Sequence, residues 1–117
     1  MKEYYKITDG PFTRYYFAKS PEDAIRIYSE NYFADSPVAT KVLTDQGYPI
    51  VRLGDIPKGT YFHRTTFKDG EFCEHSVVWC RGEYDRSTKK YECYKFEDVN
   101  HTKMFKREER VAIDFTF

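Results

Sequence analysis

What this 117-residue chain lacks narrows its class before any motif is considered. It has no charge excess. Nineteen Lys and Arg balance nineteen Asp and Glu, so the long-range field that draws proteins to nucleic acid or anionic membrane is not built into the composition. Residues 1–53, 54–75 and 76–117 each carry nearly equal numbers of the two signs, which excludes a basic arm. No stretch approaches the ~18 apolar residues that a membrane helix needs. The opening Met1-Lys2-Glu3-Tyr4-Tyr5-Lys6 has no apolar run of signal-peptide length, so a soluble, cytoplasmic protein without a membrane partner is expected. Cysteine is scarce and odd in number. Cys73, Cys80 and Cys93 do not suit an extracellular disulfide framework, and reduced thiols are expected. A Gly-rich phosphate loop, H-E-x-x-H and a nucleophile elbow are missing too, and no cofactor is called for.

What is present is aromatic. Phe, Trp and Tyr make up 19% of the chain, eleven of them Tyr and ten Phe, and such side chains favour pleated, half-buried positions. Tyr4 to Ile7 and Arg14 to Ala18 predict a hairpin around Thr8-Asp9-Gly10-Pro11. Ser20-Pro21-Glu22-Asp23 then combines a capping hydroxyl, a proline suited to the first helical position and two acids at the positive dipole end. A helix from Pro21 to about Tyr32 follows, burying Ala24, Ile25, Tyr28 and Tyr32 and leaving Glu22, Arg26 and Glu30 in water. Asp35-Ser36-Pro37 stops it. Val38 to Leu43 and Tyr48 to Leu53 predict two more strands joined at Thr44-Asp45-Gln46-Gly47, giving a ββαββ subdomain over 1–53.

Leu53-Gly54-Asp55-Ile56-Pro57-Lys58-Gly59 marks the seam to a second subdomain, 54–117. Strands are predicted at Thr60 to Phe67, Ser76 to Tyr84, Lys89 to Phe96, Thr102 to Lys106 and Arg110 to Phe117, with no helix between them. Val111 to Phe117 alternates apolar with small or polar residues throughout, the period of a half-buried strand, and is expected to complete the sheet. The fold class is α+β: the ββαββ part packed on a small curved antiparallel sheet or SH3-like barrel of about five strands, in one compact unit. If Tyr84 pairs with Lys89 across the Asp85-Arg86-Ser87-Thr88 turn, Cys80 lies opposite Cys93 and Gly82 opposite Tyr91; a slip of one residue would separate the thiols onto different faces.

Three constellations could carry chemistry. Cys73, His75, Cys80 and Cys93 are zinc-ligand types, but they lack the paired knuckle spacing of structural zinc sites, so buried thiols and a surface histidine are the plainer expectation. His63, His75 and His101 with Lys68, Lys103 and Asp69 are the side-chain types of a metal-independent nuclease; the competing expectation puts His63 in an outward-facing strand row and His101 beside the Glu97-Asp98-Val99-Asn100 turn. Around one hairpin, Arg81, Arg86, Lys89, Lys90 and Lys95 alternate with Tyr84, Tyr91 and Tyr94, and this face is the expected binding surface. Cations for phosphate beside rings for base stacking would suit single-stranded nucleic acid. Glu83, Asp85 and Glu92 on the same hairpin can instead neutralise those cations, which turns the expectation toward a protein partner.

The run Arg81-Gly82-Glu83-Tyr84-Asp85-Arg86-Ser87-Thr88-Lys89-Lys90-Tyr91-Glu92-Cys93-Tyr94-Lys95-Phe96-Glu97-Asp98-Val99-Asn100-His101 resembles a segment of small uncharacterised proteins carried by gut bacteria and their phages. Leu53-Gly54-Asp55-Ile56-Pro57-Lys58-Gly59-Thr60-Tyr61-Phe62 is similar to the entry of their β-rich part. The resemblance covers the second half of the chain and implies a mobile-element origin; it carries no site residues with it. The functional expectation is therefore a non-enzymatic binding module acting through protein contacts. Single-stranded nucleic-acid binding, a small nuclease, and a homodimer paired through the Arg110 to Phe117 strand edge are its rivals.

Overall fold

A computed structural model describes residues 1–113, so the Asp114 to Phe117 portion of the expected last strand lies outside the described residues. The protein is α+β, with one α-helix and two antiparallel sheets among the described residues, and it divides into two units, Met1–Val42 and a second beginning at Leu43.

In the first unit, β1 (Glu3–Asp9) is the central strand between β2 (Phe12–Ala18) and β3 (Val38–Lys41). Gly10, at φ +58°, opens the two-residue connection that lets Asp9 pair with Phe12. The period-2 alternation puts Tyr5, Ile7 and Asp9 on the same side of β1, and all three are buried. Helix α1 (Pro21–Asn31) covers that side, contributing Ala24 and Tyr28 to a core with Tyr5, Ile7 and Ala18. Its start is as predicted: the Asp23 N–H donates to Ser20 Oγ at 3.0 Å, while Asp23 Oδ2 accepts the Lys19 N–H at 3.0 Å. Arg26 bridges Asp23 and Glu30 on the watered face. Tyr32 is the exception to the expected stripe. The helix ends before it, at Asn31, and the Tyr32 backbone is extended at φ −140°, leaving the ring exposed.

Asp9 holds the return of this unit's chain. Its buried carboxylate accepts the Tyr28 hydroxyl at 2.8 Å and the N–H groups of Ser36 and Asp35 at 2.8 and 3.2 Å. Those backbone donors, with the phenol behind them, hold its pKa below the usual carboxylate value. Burial and the bond to Asp9 push the Tyr28 phenol up.

The second unit is a six-stranded sheet in the order β4-β9-β5-β6-β7-β8, from β4 (Ile50–Arg52), β5 (Tyr61–Lys68), β6 (Glu71–Asp85), β7 (Lys90–Lys95), β8 (Asp98–Lys106) and β9 (Arg110–Ala112). β8 lies at one edge and β9 four places away, yet only Arg107–Glu109 join them. A flat sheet would separate those strands by about 19 Å, whereas the connection from Lys106 to Arg110 reaches at most about 14 Å. The sheet therefore curls strongly. The edge-to-face contact of Phe62 on β5 with Phe105 on β8, at 6.2 Å, reports the same curl. Inside it lie Val51, Leu53, Ile56, Phe62, Trp79, Tyr91, Cys93, Phe105 and Val111. A single 3₁₀ turn, Leu53–Asp55, closes part of the mouth by donating from the Leu53 and Gly54 N–H groups to the carbonyls of Glu109 and Arg107.

Four expectations are corrected here. The strand over 50–52 pairs with β9, not with β3, so the first unit is ββαβ and the division falls at 42/43 instead of 53/54. The expected hairpin around Thr44–Gly47 shrinks to one bridge, Leu43 with Pro49, because Thr44 and Asp45 spend their polar groups on β6: Thr44 Oγ1 donates to Glu74, Asp45 N–H to the Phe72 carbonyl, and Asp45 Oδ1 accepts the Glu74 N–H. The curved sheet is open, since β4 and β8 are its two edges and it does not close into a barrel. Finally, Val111 and Ala112 of β9 are paired on both sides, with β4 and with β5, so they offer no free edge to a second chain.

Candidate functional site

The β6–β7 hairpin sets the geometry. Lys89, at φ +57°, takes the last place of the loop, and Asp85 pairs with Lys90 and Tyr84 with Tyr91, two residues beyond the expected Lys89. Asp85 Oδ1 fixes the turn by accepting from the Ser87 N–H and hydroxyl at 2.9 and 2.7 Å. An irregularity between Arg81 and Tyr84 then shifts the register, so Cys80 faces Tyr94 and Arg81 faces Cys93. The thiols point to opposite faces. Cys93 is wholly buried in the core, where burial pushes its thiol up to about 11, while Cys80 stands on the outer side. Gly82 is roofed by the Tyr94 ring: a Cβ there would meet the Glu92 carbonyl and come within 2.7 Å of the Tyr94 ring.

This register divides the hairpin residues singled out from the sequence. Tyr91 is a core residue. Arg81 lies over its ring at 4.1 Å and donates to the Gly82 carbonyl at 3.1 Å. Tyr84 leans on Tyr91 at 4.9 Å near the turn, where Arg86 and Lys89 are exposed and Lys90 is half-buried. Tyr94 belongs to a different surface, with Lys95 next to it in the strand at the groove's lining. The pairings of Tyr61 with Cys80 and of Cys80 with Tyr94 line these three up in one row across β5, β6 and β7, on the side of the sheet away from Phe62 and Cys93. Phe96 meets Tyr61 edge-to-face at 5.3 Å, and the Phe96 N–H donates to the Val78 carbonyl at 2.9 Å, which fixes the chain beside the row. Tyr61, Cys80, Tyr94, Lys95, Phe96 and Val99 line a groove of about 510 Å³. Phe96 is 56% exposed and Val99 68%.

Phe96, Val99 and Tyr61 were not singled out from the sequence. Phe96 and Val99 flank the short turn between β7 and β8, and only the sheet brings Tyr61 to them. At one rim of the hairpin Lys58 pairs with Glu83, which lowers the Glu83 carboxyl and raises the Lys58 ammonium.

The histidines lie on β5, β6 and β8. The His63 ring Nδ1 contacts the His75 carbonyl at 2.7 Å, the His75 Nε2 contacts the Thr66 hydroxyl, and His101 packs against Trp79 at 5.9 Å. Each imidazole is thus tied to sheet backbone, a hydroxyl or a ring, with His63 and His75 neighbours on β5 and β6 and His101 on β8. Among the described residues, no three His, Cys, Asp or Glu side chains are grouped to hold a metal ion, and no helix is long and apolar enough to cross a membrane.

Compared with protein-family models, with curated proteins and with solved structures, the chain finds no match. Its function has to be read from its own surfaces.

Proposed function

We propose that this protein is a non-enzymatic binding module that works through protein–protein contacts, an accessory or regulatory protein of a phage or mobile element whose open curved sheet serves as an SH3-like platform. The observation that carries the reading is the outer groove of Tyr61, Tyr94, Lys95, Phe96 and Val99, where the exposed Phe96 and Val99 gather beside two half-buried tyrosines. Rings that cost little conformational entropy to order, rimmed by charge, are what a protein interface is anchored on. The balanced net charge weighs against nucleic acid, whose affinity is dominated by phosphate neutralisation. This placement moves the binding surface away from Arg81, Tyr84, Arg86, Lys89, Lys90 and Tyr91 and keeps Tyr94 and Lys95.

The test is a paired capture experiment from nuclease-treated host lysate. Tyr94→Ser/Phe96→Ser is expected to lose partners that the intact protein retains, while Arg86→Glu/Lys89→Glu keeps them. The opposite pattern would return the surface to the turn of the hairpin, and loss of all capture on nuclease treatment would favour single-stranded nucleic acid.

A further inference from the structure

The first unit carries an aromatic cleft that the reading above does not use. Phe12 and Arg14 lie on the same side of β2 as the buried Ala18, the side that α1 covers. The helix stops at Asn31 and leaves both exposed. Tyr28, Tyr32 and Phe33 complete the walls of a cleft of about 230 Å³. Phe12 is 56% exposed, Tyr32 45%, and Phe33 is fully exposed. Three large rings open to water in one small unit are a concentration that marks an interaction site more often than an ordinary surface.

The polar element of the cleft is cationic. The Arg14 guanidinium lies 5.0 Å from the centre of the Tyr32 ring, its Nε donates to the Tyr32 hydroxyl at 3.3 Å and its Nη1 to the Thr13 carbonyl at 2.8 Å. The group is therefore held in place with Nη2 still to spare, and among the described residues it has no carboxylate partner. Asp9, behind Tyr28, makes no ion pair with it among the described residues; its oxygens accept from Tyr28, Asp35 and Ser36. Arg26 in the same unit, by contrast, is fully engaged with Asp23 and Glu30.

We infer that this cleft binds a peptide segment of another protein in which one leucine or phenylalanine side chain adjoins a carboxylate. The volume decides the size of the apolar part: small-molecule sites run to about 300–1,000 Å³, and this cleft holds a single side chain. The charge decides its neighbour, since a stacked, pre-oriented guanidinium pairs with a carboxylate through charge-assisted hydrogen bonds.

The probe is a fluorescein-labelled peptide, Gly-Glu-Asp-Phe-Leu-Gly, titrated into the full chain labelled with ¹⁵N, alongside its Gln-Asn counterpart. The acidic peptide is expected to shift the amides of Phe12, Arg14, Tyr32 and Phe33 saturably and to bind roughly tenfold more tightly than the neutral one. Arg14→Gln should remove that difference, and Phe33→Ser should weaken both peptides. Both positions are exposed, so neither change should alter the thermal melt. Tyr94→Ser/Phe96→Ser should leave the titration unchanged, which separates this site from the groove on the curved sheet. Equal affinity for the two peptides, an unchanged preference in Arg14→Gln, or shifts confined to residues beyond Val42 would overturn the inference.

Discussion

The first unit spends five buried hydrophobic residues on its core, Tyr5, Ile7, Ala18, Ala24 and Tyr28, and ties its returning chain down with the carboxylate of Asp9. The second encloses Phe62, Trp79, Tyr91 and Phe105 with five smaller neighbours inside a curled sheet, with a 3₁₀ turn across its mouth. The contrast teaches where each unit is vulnerable: the first to loss of a polar anchor, the second to loss of volume or of close backbone approach. It also explains the placement of their exposed rings. A helix of 11 residues spans only about 16 Å and leaves the far end of β2 uncovered, whereas the curled sheet has an outer side that its own core cannot reach.

The comparison breaks first at Phe62. Truncation to Ala should cost about 3–5 kcal/mol, measured by urea unfolding followed through the fluorescence of Trp79, which shares its core. An effect under about 1 kcal/mol would mean that the curled interior is not close-packed. Next are the glycines. Gly82→Ala forces a methyl onto the Glu92 backbone and the Tyr94 ring, an overpacking worth about 1–3 kcal/mol, while Gly10→Ala has open space around it and should cost about 1 kcal/mol from its positive φ alone. Equal costs would contradict the close approach of β6 and β7.

A pH titration sharpens the contrast further. The native Asp9 pKa lies below its unfolded value of 3.8, so its contribution is fully present above that pH and is lost as the pH falls through 3.8 toward the native value. Tyr28 has the opposite sign: its native pKa lies above 10.0, so its contribution is present below that pH and disappears as the pH rises beyond it. Amides of β1 are expected to lose exchange protection at both extremes in the intact protein, and Asp9→Asn should abolish the acid limb. Persistence of that limb in the variant would remove Asp9 from its proposed role. The smallest effect belongs to Ser20→Ala, expected to cost about 1 kcal/mol through loss of the cap; no change in a thermal melt would show that Pro21 and Asp23 suffice to start the helix.

Local signals carried well. Ser20-Pro21-Glu22-Asp23 marked the helix start and Asp35-Ser36-Pro37 its limit, because capping and proline geometry act within a few residues. Most strands were legible from alternation. What was not legible required long-range pairing. Val51 is as apolar as a strand of the first unit would need, and only its pairing with Val111 assigns it to the second. The hairpin register hinged on whether Lys89 joined the strand or the loop, and its positive φ, uncommon for a lysine, carried no local sign. The irregularity after Arg81, a shift of one residue, put Cys80 and Cys93 on opposite faces. The candidate surface was legible only at Tyr94 and Lys95. Tyr61 joins it from a strand more than thirty residues away, and an exposed Phe96 in a turn reads like any other aromatic until the sheet is drawn.

The central claim is that the outer groove at Phe96 is where a protein partner sits, and a photo-crosslinker placed there tests it directly. The full chain carrying benzoylphenylalanine at position 96 is expected to give a protein adduct in host lysate that persists after nuclease treatment and disappears on adding Tyr94→Ser, while the same probe at position 86 gives none. Adducts at 86 but not at 96, or a yield at 96 unaffected by Tyr94→Ser, would contradict it.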